Sequence, residues 1–213
     1  MEHELLGWPE DGPTLRLDYR AFSYAGKFAT SNTGVAVLRG RSSSAVAPDW
    51  KPDPSLPEPA PHPAGESGNP STRADDVVAA IAFNADRTDP TTLWIRYVTV
   101  HAARRGEGHA PGLIAFLVDR ARDRTRTYDR LRIGVNNPFA YEALYKAGFA
   151  FTGRETGVAE LVLERPTDAP ADRDAETYRS GLDSYRKRDR GDPEASFLEA
   201  RAGVDPPPLV DGV

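Results

Sequence analysis

The sequence predicts an α/β fold, strands and helices built around one core, and three observations predict it. Short β-branched and aromatic runs recur along the chain, most densely after Val77. Two segments with apolar residues at helical spacing, Pro111 to Arg126 and Asn137 to Gly148, fall between those runs. The 213 residues, 39% of them hydrophobic, suffice to bury one sizeable core.

Taken in order, Thr14 to Tyr19 alternates with period two and Gly34 to Arg39 is rich in valine, so both are expected as strands. The stretch between them, Arg20 to Thr33, is short and has no helical pattern. From Pro48 to Pro70 stand eight of the 19 prolines, and apart from alanines the only aliphatic residue is Leu56. Such a composition builds neither helix nor central strand. It predicts a Pro-rich insertion, bounded at 41–74, inside a single domain of residues 1–165. Val77 to Phe83 and Leu93 to Val100 read as a hairpin around an Asp89-Pro90 turn. Leu113, Ile114, Phe116, Leu117, Val118 and Ala121 give the strongest helix its apolar stripe. Leu131 to Val135 is a short strand; Asn137 then caps a helix with Pro138 at its first position, and Gly148 stops it. Phe149 to Phe151 and Val158 to Leu163 close the sheet. Residues 166–213 form a polar tail in which Tyr178, Leu182 and Tyr185 share a helical face: a helix docked on the body or a partly disordered segment, with a dimer contact or a lid as the other uses.

Composition removes several functions. The chain has no cysteine, so disulfides, thiolate metal sites and a Cys nucleophile are excluded, and four scattered histidines make no metal site. A net charge of −5 argues against nucleic acid as a partner. No long uncharged apolar run is present, and the acidic start Met1-Glu2-His3-Glu4 lacks the basic and apolar regions of a signal peptide, so the expectation is a cytoplasmic protein without a membrane partner.

The chemistry concentrates in Val98-Thr99-Val100-His101-Ala102-Ala103-Arg104-Arg105-Gly106-Glu107-Gly108-His109-Ala110, which leads from a strand into the strongest helix. Glycines let the backbone turn tightly, and amides at a helix start have no intrahelical acceptors while the helix dipole is positive there. Such a turn can cradle a pyrophosphate. It lacks the Gly-Lys-Ser/Thr of a P-loop and the complete dinucleotide fingerprint.

Arg105-Gly106-Glu107-Gly108-His109-Ala110, five residues beyond the Val-x-Val strand end, resembles the R/Q-x-x-G-x-G/A acetyl-CoA loop of the GNAT superfamily of N-acyltransferases. Asn137-Pro138-Phe139-Ala140 through Gly148-Phe149 resembles that family's second helix. The resemblance covers Val77 to about Glu164. It implies a mixed, mostly antiparallel sheet flanked by helices, with central strands splayed to admit the pantetheine arm and Val98, Thr99 and Val100 along it. It further implies a pyrophosphate held on Arg105, Gly106, Glu107, Gly108, His109 and Ala110, with Asn137 contacting the cofactor. The family's tyrosine acid has its slot at Leu144 here; Tyr145 is the adjacent candidate and Tyr141 lies one turn earlier, while packing in the core is the other reading of both. The family's glutamate base has its slot at Arg132, leaving His101 or a water chain. The implied activity is direct transfer of an acetyl group from acetyl-CoA to a primary amine on a peptide, protein or small molecule, in a ternary complex and without metal. A CoA-binding or acetyl-CoA-sensing module of the same fold is the alternative, and a homodimer is possible.

Overall fold

The computed structural model describes residues 1–41, 46–59, 74–124, 128–189 and 191–210. Its strands are β1 (Glu2–Gly7), β2 (Gly34–Arg39), β3 (Val77–Ala85), β4 (Thr92–Val100), β5 (Arg130–Val135), β6 (Ala150–Glu155) and β7 (Leu161–Pro166). The helices are α1 (His109–Arg122), α2 (Pro138–Lys146), α3 (Ala175–Arg186) and α4 (Asp192–Glu199). The seven strands are ordered β1-β2-β3-β4-β5-β7-β6, and β1/β2, β2/β3, β5/β7 and β6/β7 are antiparallel. The chain divides into two compact units, Met1–Asn84 with Ile95–Leu117, and Ala85–Trp94 with Val118–Val213. Among the described residues, no helix is long and apolar enough to cross a membrane.

In the first unit, β3 is buried from Val77 to Phe83, as expected for an apolar run inside a sheet. Leu15, Phe22, Phe28, Val35 and Val37 pack in the same core cluster. Thr14 to Tyr19, expected as a strand, is not one. Leu15 keeps the buried position its alternation implies but makes only an isolated backbone bond, from its N–H to the Phe28 carbonyl at 2.8 Å. Asp18 then turns the chain by accepting the Arg20 N–H at 2.9 Å. The strand instead comes earlier, as β1. Its Glu4 meets Arg39 of the neighbouring β2 at 2.5 Å.

In the second unit, Leu131, Ile133 and Val135 of β5 and Leu161 and Leu163 of β7 supply alternate buried residues. The tail, expected as a docked helix or a partly disordered segment, carries α3 and α4, and α3 packs on α2. Asp174 caps α3 by accepting the Thr177 N–H at 2.8 Å, and Tyr178, Leu182 and Tyr185 bury its apolar face. The Tyr141 hydroxyl donates to the Tyr178 carbonyl at 3.1 Å, and the Tyr185 hydroxyl to the Val135 carbonyl at 2.9 Å. The carbonyls that end α2 find distant donors. Arg173 reaches the Tyr145 carbonyl at 2.9 Å, the Val210 N–H reaches that of Lys146 at 2.9 Å, and Arg165 reaches that of Ala147 at 2.7 Å. Arg165 is 2% exposed, and burial pushes its guanidinium below the usual arginine range.

Glu142 of α2 accepts from Arg201 at 2.6 and 3.1 Å and pairs with Lys146 at 2.9 Å. Burial alone would raise its pKa, but these bonds outweigh burial and hold the carboxyl below its usual range. A depressed folded-state value means that the stabilisation is complete above the ordinary carboxylate range and is lost as pH falls through the folded value. Glu142→Gln is therefore expected to cost about 1–2 kcal/mol at neutral pH. In denaturant titrations its deficit against the unsubstituted protein should shrink on acidification; a deficit independent of pH would argue against the ion pair as its source.

Candidate functional site

The turn that leaves β4 lies wholly in the first unit. Its start is fixed by backbone bonds, from the His101 N–H to the Val78 carbonyl and from the Ala102 N–H to the Ala21 carbonyl, each at 2.9 Å. A single 3-10 turn, Ala102–Arg104, follows. The chain then passes through Gly106 at φ +83° and Gly108 at φ +81° before entering α1 at His109. Both glycines occupy the left-handed region that side chains seldom adopt. A Cβ on either would meet nothing within 4 Å, so the turn presents open backbone.

The amides behave as the sequence predicts. The N–H groups of Arg105, Gly106, Glu107, Gly108, His109 and Ala110 have no acceptor among the described residues. The side chains keep clear of them. Glu107, the one carboxylate on the turn, is drawn to Arg104 at 2.7 Å and to His109 at 3.1 Å. The Arg104 guanidinium, first, and His109 hold its carboxyl below the usual range. Arg104 is anchored in turn on the Val46 carbonyl at 3.1 Å. The Arg105 guanidinium lies back on the strand end, donating to the Val100 carbonyl at 3.4 Å and to Ser23 at 3.1 Å. Nothing in the sequence flagged Val46 or Ser23 as partners of this turn, because each is brought there by the fold from more than 50 residues away.

Val98 and Val100 are half-buried in β4, and between them Thr99 is buried with its hydroxyl unpartnered. On the turn, unpaired amides, left-handed glycines and open space suit a diphosphate group.

The candidate acid and base groups each have partners of their own. Burial, reinforced by Arg104 and Arg105, lowers the pKa of His101 and keeps its ring neutral. Its Nδ1 accepts the Ala103 N–H at 3.2 Å, so the proton of the neutral ring sits on Nε2 and no free lone pair is offered as a base. Tyr145, in the second unit, is 0% exposed. Its hydroxyl accepts from the Phe151 N–H at 3.0 Å and lies 3.3 Å from the Tyr141 hydroxyl, which is the packing role the sequence left open. Tyr141 is equally enclosed, and burial drives its phenol far above the usual range. Arg132 bonds Glu164 at 2.6 Å and Asp86 at 3.2 Å, as a structural cation. Asn137 caps α2, accepting the Ala140 N–H at 2.8 Å. Among the described residues no cluster of His, Asp and Glu is arranged to hold a metal ion.

No curated protein is detectably similar to this chain. Among solved structures it is similar to an N-acetyltransferase from Staphylococcus aureus Mu50, at 17% identity over 63% of this chain and 68% of that one with a TM-score of 0.42. It is similar also to nourseothricin acetyltransferase, at 13% identity, 78% and 98% coverage and TM-score 0.45. A ribosomal-protein-alanine N-acetyltransferase from Brucella melitensis is similar at 16% identity, 63% and 68% coverage and TM-score 0.40. The model of the Acetyltransferase (GNAT) family matches residues 45–149, a segment that contains the whole turn, α1 and α2. Over that segment the chain is a member of the GNAT acetyltransferase family.

Proposed function

We propose that the protein transfers an acetyl group from acetyl-CoA to a primary amine, on a peptide, protein or small molecule, by direct transfer in a ternary complex. One observation carries this reading: the unpaired amides from Arg105 to Ala110, opened by Gly106 and Gly108. These amides bind the diphosphate, while the backbone of Val98, Thr99 and Val100 orients the arm. Bound acetyl-CoA supplies an activated thioester carbonyl. The chain adds mainly alignment, which supplies much of the rate for so reactive an ester.

A second reading, a module that binds acetyl-CoA with little turnover, is favoured by the enclosure of Tyr145 and the occupied Nδ1 of His101. One pair of measurements separates the two. Acetyl-CoA should raise the melting temperature under either reading. Amine-dependent release of free thiol, across a panel of peptides, polyamines and small amines, is expected only for the enzyme. Loss of the melting shift would overturn both.

Tyr145→Phe probes the enclosed hydroxyl. We expect a stability loss of about 1–2 kcal/mol, from the unpaired Phe151 N–H, with turnover changed less than about threefold. A fall of about tenfold or more in turnover at unchanged stability would instead give this phenol the acid role.

A further inference from the structure

The turn that suits a diphosphate carries a carboxylate of its own. Glu107 stands between Gly106 and Gly108, amid the amides from Arg105 to Ala110 that have no acceptor among the described residues. Left to itself, such a carboxylate opposes an anion site in two ways. It repels the bound diphosphate, and it can bond the amides at the start of α1 in the ligand's place, because a helix N-terminus stabilises any nearby anion.

Arg104 prevents both. Its Nε donates to the two Glu107 oxygens at 3.0 and 2.8 Å, and its Nη2 stands 2.7 Å from Oε2. Its Nη1 donates to the Val46 carbonyl at 3.1 Å, which fixes the guanidinium from behind. That anchor is itself held, since Val46 is 4% exposed and Trp50, four residues on, packs edge to face on His101 at 4.8 Å. His109 is the other described partner of Glu107. Its Nε2 lies 3.1 Å from the carboxylate and 3.2 Å from Arg104, and a neutral ring can serve only one of the two. Arg105 points elsewhere, to the Val100 carbonyl and Ser23. The permanent charge opposite Glu107 is therefore that of Arg104.

We propose that Arg104 is a positioning residue of the acetyl-CoA site: it holds the Glu107 carboxylate off the amides of the turn and cancels its charge, so that the amides stay open to the diphosphate. The proposal rests on the acetyl-CoA reading of this turn.

Calorimetry with acetyl-CoA on the full chain tests it, and the net charge of the pair orders the expected affinities. Arg104→Met leaves Glu107 uncompensated and should weaken binding about tenfold or more. Glu107→Gln leaves Arg104 on Val46, reads charge alone, and should tighten binding about threefold. Arg104→Met combined with Glu107→Gln should return to within about threefold of the unsubstituted protein. The double variant lacks the Val46 anchor as Arg104→Met does, so its recovery cannot come from that anchor. A double variant as weak as Arg104→Met would make Arg104 a brace for Val46 and overturn the proposal. Undiminished affinity in Arg104→Met, or no gain in Glu107→Gln, would overturn it too. Those results leave the acetyl-CoA reading standing, whereas no saturable heat from the unsubstituted protein would remove that reading and the proposal with it.

Discussion

Gly108→Asp is expected to lower acetyl-CoA affinity by more than about 100-fold while the protein still folds. The magnitude follows from Coulomb's law: two like charges about 4 Å apart near a protein surface repel by about 4 kcal/mol. The fold should tolerate the change, since a Cβ at this position meets nothing within 4 Å and aspartate is among the residues that enter the left-handed region most readily. Gly108→Asn is the control, isosteric and uncharged. It carries the same backbone cost, so calorimetry on the pair separates charge from strain. Asn close to the unsubstituted protein and Asp far below it would support an anion on these amides; affinity retained in Gly108→Asp would remove the turn from ligand binding.

Gly181→Ala should be the most destabilising single methyl in the second unit. A Cβ there would sit 2.0 Å from the Tyr141 hydroxyl and 2.4 Å from its ring, and Tyr141 has no room to retreat because Tyr145, Tyr178 and Tyr185 surround it. Overpacking of this kind costs about 3 kcal/mol. For a chain of this size the melting temperature should fall by roughly 6–12 °C. Tyr141→Phe removes the nearest atom, so the double variant should lose less than the sum of the two single changes. Additive losses, or an unchanged melting temperature in Gly181→Ala, would show that α3 does not approach α2 as described.

Much of this was legible in the sequence, for identifiable physical reasons. β3, β4 and β5, the Asn137 cap and the left-handed glycines of the turn depend on local chemistry: β-branched runs, a side-chain cap, and residues free to adopt positive φ. The amides of residues 105–110 could be anticipated because helix starts leave them unpaired wherever they occur. Thr14 to Tyr19 misled because alternation reports which residues are buried, not whether a neighbouring strand is present to pair with them. β1 was invisible for the opposite reason. Glu2, His3 and Glu4 are exposed on the outer strand of the sheet, so they show no burial pattern, and their backbone pairing with β2 needs none. The tyrosines were ambiguous by chemistry, since a phenol serves equally as an acid or as packing that carries a hydrogen bond. Only the partners of Tyr145, the Phe151 amide and the Tyr141 hydroxyl, distinguish the two.

The donors that close the end of α2 have a consequence for how the molecule is made. The Tyr145 carbonyl, already bonded by the Gly148 N–H at 3.1 Å, gains Arg173 as a second donor, whereas that of Lys146 waits for Val210, more than 60 positions further along. During synthesis the helix can form early, yet its Lys146 carbonyl lacks this donor until the chain through Val210 has left the ribosome. One step of maturation is therefore a late, long-range docking, and nascent chains stalled before Val210 should be more open to proteases at the end of this helix than chains that extend past it.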